Sequence, residues 1–278
     1  MAVTPENSTL SGAGAGMTNV SRSAMIISSV FLFWLVGLID KFAFGTVLTD
    51  RGFLTDLGLT GHRAILGALA SLAVLTQALG YGVFGWAVDR FGPRPCAIVG
   101  VCGWVVSCAL GAVAQSVAVM VVSRVLLGLC EGYTWPVGNA LTARWFPAGR
   151  RARARALWLS AVCVGPGVAG FLTSALLGSL SWRSVFWCLA AISLVFCLPM
   201  ALFFVKNAPS GSMPARPGLS SHAVREVLRV PRFWIMTIAA AGTTVAVWAL
   251  ASWLPSYLVS YRHTSPHTFQ PYVLGAYL

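Results

Sequence analysis

Hydrophobic residues follow one another in seven long runs, and the polar positions are confined to the short segments between them. Each run has 19 or more residues. A helix needs about 20 apolar residues to cross the hydrocarbon core of a bilayer, so each run predicts a membrane-spanning α-helix. The seven predicted crossings are 24–48, 65–88, 96–114, 119–141, 156–180, 185–205 and 233–261.

The polar segments divide the chain into parts of unequal character. A linker with Pro209, Pro214 and Pro217 and a basic amphipathic piece separates six crossings from a seventh, and the tail after the seventh is too short to span a membrane. We therefore expect an all-α membrane protein. Its predicted parts are a cytoplasmic N-terminal tail (1–23), a six-helix transmembrane bundle (24–206), a cytoplasmic linker (207–232), a seventh transmembrane helix (233–262) and a C-terminal tail (263–278).

Composition supports this interpretation and excludes others. Only 9% of the 278 residues are charged and 57% are hydrophobic, whereas ordinary soluble domains carry about 25% charged residues. So little charge could not cover the surface of a soluble domain, and disorder requires low hydrophobicity. The net charge of +12 does not indicate a nucleic-acid partner, because the basic residues form short clusters between apolar runs.

The distribution of Lys and Arg predicts the orientation in the membrane. With a cytoplasmic N-terminus, 13 basic residues fall in inside segments and 4 in outside segments. The positive-inside rule therefore favours a multi-pass protein of the cell membrane, the inner membrane of a bacterium, with its N-terminus in the cytoplasm. Anionic lipid is the expected partner of the inside clusters.

No arrangement typical of an enzyme or a metal site is found. The seven cysteines lie within or beside apolar runs without a CxxC pair, and the four histidines fall in predicted loops or the tail. His263 and His267 have a spacing of four residues but no acidic or Cys companion. Phosphate-binding loops and nucleophile elbows are also missing from the sequence. We expect no catalytic function, no metal and no cofactor, with a proton gradient as the driving force.

Four ionisable residues lie inside apolar runs, where charge is costly. Asp40 and Lys41 are adjacent in the first run, and Arg124 and Glu131 lie seven residues apart on one face of the fourth. One interpretation is two ion pairs that lock the first helix to the fourth. The other is a coupled site, in which the cations bind an organic anion and the carboxylates take up protons. Protonation makes such a site more cationic, so anion and proton bind together, as symport requires.

The loop after the second run carries a recognisable signature. Its residues Gly85, Asp89, Arg90, Gly92 and Arg94 form the pattern G-x-x-x-D-R-x-G-x-R. The segment resembles the cytoplasmic loop signature of the major facilitator superfamily and has the same place between the second and third crossings. The resemblance implies a loop that acts as a conformational switch.

A second set of motifs narrows the resemblance. The fourth run reads R-x-x-x-G-x-x-E-G-x-x-x-P over 124–136, and W-F-P and R-A-R-A follow at 145–147 and 151–154. Asp40-Lys41 stands at the Asp-Arg of the anion:cation symporter family within that superfamily, and Trp182-Arg183 at its Trp-Arg. The chain resembles this family over about 25–260.

The resemblance implies a small organic anion, a carboxylate or sugar acid, carried with protons by alternating access. Asp40 and Glu131 would be the protonation sites, Arg124 would tune Glu131, and Lys41 would contact the substrate carboxylate. Lys41 departs from the family pattern, because a point charge replaces a planar fork. Gly37 also stands where polar or aromatic residues are common.

The superfamily fold has two six-helix halves, each of 3 + 3 inverted repeats, with substrate between them. The sequence accounts for the first half and one further helix, which leaves three expectations: a truncated or partial chain, a chain that pairs with a second half-transporter or with itself, or a non-transporting remnant. Two other functions stay open. The Gly165–Gly170 segment partly resembles a motif of drug:proton antiporters, and a membrane scaffold or sensor would need no transport.

Overall fold

The fold was analysed in a computed structural model, which describes residues 7–207 and 221–260. In these two ranges the secondary structure is helical throughout. The helices are α1 (Asn7–Val47), α2 (Arg51–Asp56), α3 (Arg63–Phe91), α4 (Pro93–Ala112), α5 (Val117–Glu131), α6 (Thr134–Trp145), α7 (Ala148–Leu159), α8 (Ala161–Ser179), α9 (Trp182–Ile192), α10 (Ser221–Leu228) and α11 (Pro231–Ser260). Two π-helical segments, Ser193–Cys197 and Met200–Phe204, continue α9.

Six helical stretches of the described residues are long and apolar enough to cross a membrane, and they match the first six predicted runs. They are Ser21–Val47, Arg63–Phe91, Pro93–Ala112, Val117–Trp145, Ala148–Ser179 and Trp182–Phe204, and we number them crossings 1 to 6. The predicted seventh segment is also helical, as α11, and its role as a crossing stays a prediction. The basic piece of the linker lies largely in α10, and the tail 263–278 lies outside the described residues.

Crossings 4 and 5 are each built from two helices, which hydropathy alone did not reveal. Crossing 4 breaks at Gly132 and Tyr133, where backbone bonds to Leu129 and Cys130 tighten the turn. Pro136 follows four residues after Gly132 and lacks the N–H that would bond the Gly132 carbonyl. Crossing 5 is interrupted at Ser160, between α7 and α8. It begins at Ala148, eight residues before the predicted start, because the Arg-rich segment is itself helical.

The packing of the crossings follows the pattern expected for two inverted repeats of three helices. Crossing 1 packs extensively on crossing 5, and crossing 4 packs extensively on crossing 2. Exchanging crossings 1, 2 and 3 for 4, 5 and 6 turns one of these pairs into the other. Of the two helices that carry the four embedded charges, α5 packs on α4 along its length, and α1 reaches α4 through the hydrogen bond from Trp104 Nε1 to Asp40.

Glycines set the closest approach between crossings 2 and 4. A Cβ on Gly128 would lie 2.1 Å from Thr76 Oγ1 and 2.2 Å from the Ala73 carbonyl oxygen. A Cβ on Gly132 would lie 2.3 Å from the backbone of Gly80. Small residues at such an interface allow two backbones to touch. The glycines of the fourth-run motif therefore position α5 against α3 and so fix the depth of Glu131.

A polar cluster surrounds α2, which lies between crossings 1 and 2. Asp50 caps α2 by accepting a hydrogen bond from the Phe53 N–H at 2.9 Å. At the other end of α2, Asp56 forms an ion pair with Arg183 and accepts a hydrogen bond from Trp182 Nε1 at 3.0 Å. The hydrogen bonds from Arg183 and Trp182 hold the pKa of Asp56 below its usual value. This cluster ties the loop between crossings 1 and 2 to the start of crossing 6.

Candidate functional site

The fold brings the four embedded charges together as two ion pairs between α1 and α5. Arg124 Nη1 lies 3.3 Å from Asp40 Oδ1, and Lys41 Nζ lies 2.5 Å from Glu131 Oε2. The two residues of each helix therefore pair with the two residues of the other, and the total charge is zero. Geometry alone shows that the pairs link crossing 1 to crossing 4. The two pairs differ strongly in their surroundings.

The Asp40–Arg124 pair is closed on every side that the structure describes. Both side chains are 1% exposed. The second oxygen of Asp40 accepts hydrogen bonds from Trp104 Nε1 at 3.2 Å and from Cys108 Sγ at 3.4 Å. The carboxylate is thus satisfied by protein groups from α4 and α5, as a buried charge requires.

Aromatic rings hold the guanidinium of Arg124 in place. It lies over Phe44 at 4.4 Å and over Phe186 at 5.0 Å from the ring centroids. Cation–π contacts of this kind strengthen when water is excluded. Arg124 was expected to act on Glu131, and its direct partner is instead Asp40. Seven residues separate Arg124 from Glu131, about 10 Å of helix, and this spacing leaves each of them opposite a different residue of α1.

The Lys41–Glu131 pair is open by comparison. Lys41 is 22% exposed, whereas Glu131 is 2% exposed. Glu131 Oε1 has no hydrogen-bond partner among the described residues. A Cβ on Gly37 would lie only 3.2 Å from that oxygen, so the glycine leaves room beside the carboxylate. In this pair the ammonium of Lys41 is therefore partly accessible, and the carboxylate of Glu131 has one oxygen without a hydrogen bond.

A cluster of three tryptophans lies beside the open pair, and sequence reasoning did not predict it. The ring centroid of Trp34 in α1 lies 5.5 Å from the centroids of both Trp135 and Trp158. The centroids of Trp135 and Trp158 lie 5.7 Å apart. Trp34 precedes Lys41 by seven residues and Trp135 follows Glu131 by four. These helical spacings put each ring on the face of its neighbouring charge, a signal that was available in the sequence.

The predicted switch-loop residues lie together at the end of α3 and the start of α4. Gly92 has a φ of 91°, which explains why glycine stands at this tight turn. Arg94 donates from Nη2 to the Leu202 carbonyl at 2.9 Å, and its backbone N–H donates to Asn207 Oδ1 at 3.0 Å. The loop is thereby fastened to the end of crossing 6.

Of the remaining loop residues, Asp89 and Arg90 are exposed and Gly85 is half-buried. Asp89 forms no ion pair with the described residues, and Arg90 lies over the rings of Trp86 and Phe91 at 6.0 and 5.7 Å. A Cβ on Gly85 would meet no atom of the described residues within 4 Å. The free position leaves space for another surface to approach the loop.

Metal-ligating side chains do not converge in the described part of the chain. No group of three or more His, Cys, Asp or Glu lies close enough to hold an ion there. All seven cysteines are free thiols, and Cys96, Cys108 and Cys197 are buried. Of these, Cys108 is the one that contacts the embedded charges.

A helical bundle with paired charges at the centre of six membrane crossings defines a multi-pass membrane protein of the transporter type. The family description "Major Facilitator Superfamily" matches residues 25–278, so the chain belongs to that superfamily. This is a family of transporters rather than enzymes, and the six-helix fold predicted from the motifs is confirmed.

Curated relatives carry names of anion transporters and of a drug-resistance protein. A probable sulfoacetate transporter of Cupriavidus necator is 29% identical over 86% of this chain and 57% of its own length. A probable L-galactonate transporter of Escherichia coli is 23% identical over 92% of this chain and 59% of its own length. A chloramphenicol resistance protein of Streptomyces lividans is 30% identical over 80% of this chain and 53% of its own length. The chain thus spans less than two thirds of the length of these relatives.

Solved structures agree in fold. A bacterial homolog of the human lysosomal transporter Spinster, in an inward-facing conformation, has a TM-score of 0.63 at 18% identity, with 91% of this chain and 59% of that chain covered. The proton:xylose symporter XylE has a TM-score of 0.58 at 18% identity, with 69% of this chain and 46% of that chain covered. At this identity the likeness concerns the fold alone.

Proposed function

We propose that the chain forms the N-terminal bundle of a proton-coupled symporter for a small organic anion, a carboxylate or sugar acid. The observation that carries the proposal is the open Lys41–Glu131 pair, in which an accessible ammonium is held by a buried carboxylate with a free oxygen. The names of the sulfoacetate and L-galactonate relatives support an anionic substrate.

Competition for Lys41 supplies the coupling. The carboxylate of an incoming anion binds the ammonium and displaces Glu131, which then lies in an apolar site without a counter-charge. A carboxylate in such a place is more stable with a proton bound. Anion binding and proton uptake therefore favour one another by the same free energy, which is the linkage that symport needs.

The closed pair has a supporting role in this proposal. Asp40 is the second candidate for protonation, since it is a buried carboxylate one residue from Lys41. Arg124 pairs with Asp40 and adds a second positive charge to the proposed site. Protonation of Asp40 would leave Arg124 without its partner.

Alternating access requires a second bundle to rock against this one. The loop of Gly85, Asp89, Arg90, Gly92 and Arg94 lies at the end of the bundle that we place in the cytoplasm, and we assign it the role of a conformational switch. Anionic lipids bind the basic clusters on the same side, as the positive-inside arrangement in a bacterial inner membrane implies. The second bundle comes from further sequence or from another chain.

The test is uptake into membrane vesicles from cells that express the native gene. Labelled sugar acids and simple carboxylates are offered with and without an inward proton gradient. We expect accumulation only with the gradient, and Glu131→Gln should abolish accumulation while exchange of internal for external substrate continues. Val122→Leu, at an exposed position of α5, is the matched control. Gradient-driven accumulation by Glu131→Gln would refute the coupling role.

Drug:proton antiport is the second candidate, and two observations favour it. The chloramphenicol resistance relative is similar over 80% of the chain. In α8, a Cβ on Gly165 would lie 2.6 Å from Leu38 Cβ, and Pro166 follows inside the helix, so the partial antiporter motif packs against α1 near the charges. A drug-susceptibility panel separates the two functions, because only antiport raises the resistance of expressing cells.

A further inference from the structure

A cavity of about 150 Å³ lies where crossing 1 begins and crossings 4 and 6 end. Consecutive crossings alternate in direction, so these three ends share one side of the membrane, which the distribution of basic residues predicts to be the cytoplasm. The cavity therefore lies where the hydrocarbon of the bilayer meets its polar interface. Its lining includes Arg22, Met25, Trp145, Phe203, Phe204 and Lys206.

The charged residues of this cavity are both basic. Arg22 and Lys206 line it, and no Asp or Glu is among the lining residues. Neither cation forms an ion pair with a described residue. Two basic side chains without a counter-charge create a positive potential that attracts an anionic group.

The backbone beside the cavity does not oppose an anion, because its carbonyl groups are already bonded. The Lys206 carbonyl accepts a hydrogen bond from Trp145 Nε1 at 3.2 Å, and the Asn207 carbonyl accepts one from Arg144 Nη1 at 3.2 Å. These two bonds hold the backbone of Lys206 against the end of crossing 4. The side chain of Lys206 stays exposed, so its ammonium is available to a ligand.

The rest of the lining is apolar and exposed. Phe203 is 70% exposed, Phe204 38% and Met25 37%. A small inorganic anion would use the two cations and leave this apolar surface uncovered, whereas an anionic lipid offers a charged head and apolar chains to the two parts. We propose that the cavity binds one anionic phospholipid of the cytoplasmic leaflet, with its phosphate between Arg22 and Lys206 and an acyl chain along Phe203.

This lipid site is more specific than the general attraction of basic clusters to an anionic membrane, because it holds one lipid and saturates. It also connects the two inverted repeats, since Arg22 belongs to crossing 1 and Lys206 follows crossing 6. Crossing 1 carries Asp40 and Lys41. A bound headgroup therefore fastens the cytoplasmic end of the helix that bears half of the embedded charges.

Equilibrium binding of labelled phosphatidylglycerol to the full chain in micelles of a neutral detergent tests this site. We expect saturation at one lipid per chain, and much weaker binding of labelled phosphatidylcholine. The double variant Arg22→Gln with Lys206→Gln should weaken phosphatidylglycerol binding about thirtyfold, through the loss of two basic contacts. The charge-preserving double variant Arg22→Lys with Lys206→Arg should bind phosphatidylglycerol about as tightly as the unaltered chain.

A matched control tests whether binding depends on the cavity or only on total charge. Arg150→Gln with Arg155→Gln removes two exposed charges of α7, on the side predicted to be cytoplasmic, and should leave phosphatidylglycerol binding unchanged. A loss as large as that of the Arg22 and Lys206 double variant would overturn the site, because binding would then follow charge alone. Phosphatidylcholine bound as tightly as phosphatidylglycerol would overturn it too.

Competition distinguishes a lipid from a free anion. Inorganic phosphate and glycerol 3-phosphate carry the charge of the headgroup without acyl chains, so neither should displace labelled phosphatidylglycerol. Phe203→Ser should weaken the lipid several-fold by removing apolar contact. Displacement by glycerol 3-phosphate, with no effect of Phe203→Ser, would replace the lipid by a small anion. None of these measurements involves transport, so their failure leaves the proposed symport standing.

Discussion

The two ion pairs between crossings 1 and 4 use the same residue types and serve different ends. Asp40–Arg124 has every carboxylate oxygen bonded and two rings against the cation. Lys41–Glu131 has an accessible cation and an unbonded oxygen. Arg124 Nε has no hydrogen-bond partner among the described residues, so the difference lies in the carboxylates. A carboxylate with both oxygens bonded resists change, whereas one with a free oxygen and an accessible cation can exchange its partner. On this difference rests our proposal that the closed pair holds the helices together and the open pair exchanges its partner during transport.

The largest effect is expected from breaking the closed pair. Arg124→Met leaves Asp40 as an uncompensated charge at 1% exposure, and the loss of one partner from a buried pair costs about 3–5 kcal/mol. Thermal unfolding of the chain in detergent, followed by circular dichroism, measures this loss. The double variant Asp40→Asn with Arg124→Met removes both charges and should recover most of the stability. If the double variant does not recover stability, Arg124 stabilises the fold through its packing against the rings of Phe44 and Phe186 rather than through its ion pair with Asp40.

Breaking the open pair should cost less stability and more function. In Glu131→Gln the ammonium of Lys41 keeps access to solvent, so we expect a loss of about 1 kcal/mol, in the range of partly exposed pairs. Proton-driven uptake should fall to the background level. The same unfolding experiment measures the stability of this variant, and the vesicle assay measures its proton-driven uptake. A destabilisation as large as that of Arg124→Met would erase the distinction between the two pairs.

Lys41→Arg sharpens the same distinction by changing geometry and keeping charge. Arginine offers a planar fork that binds a carboxylate at two points. The variant should bind Glu131 more firmly, so an incoming anion displaces it less easily. We expect the anion concentration for half-maximal uptake to rise several-fold with little change in unfolding temperature. Lower half-maximal concentrations would instead indicate that position 41 holds the anion without competition from Glu131.

Much of this site was predictable from sequence, because embedded charges are rare and stand out in apolar runs. Asp40, Lys41, Arg124 and Glu131 were identified in this way, and the spacing of Arg124 and Glu131 placed both on one face. The choice of partners was not predictable, since it depends on the rotation of α1 against α5. The position of α5 in turn depends on the contact of the Gly128 backbone with α3, which hydropathy does not register.

The fold shows the same division. Six crossings follow from run length, but the break at Gly132 depends on a local turn, and α2 is too short and too polar for the pattern to signal. The tryptophan cluster was missed for another reason. A tryptophan in an apolar run is expected as packing, and its neighbour on the next helix is known only once the helices are paired.

The smallest effect belongs to a third pair, Asp56–Arg183, which contrasts with both embedded pairs, because Asp56 lies in α2 between crossings 1 and 2 and Arg183 in the first turn of crossing 6. Its side chains are 41% and 32% exposed, and solvent screens such a pair. Because Arg183 lowers the pKa of Asp56 in the folded state below the ordinary value of 3.8, the pair stabilises the fold above about pH 4. That stability is lost as the pH falls through the lowered folded pKa.

Asp56→Asn should therefore reduce the unfolding temperature slightly at pH 7, and the difference from the unaltered chain should shrink below pH 4. Unfolding scans at pH 7, 5 and 3 measure it, with Asp89→Asn as the control for an exposed acid without an ion pair in the described residues. A difference in unfolding temperature that grows toward pH 3 would mean that the surroundings of Asp56 destabilise it. The polar cluster around α2 would then not fasten the loop between crossings 1 and 2 to crossing 6.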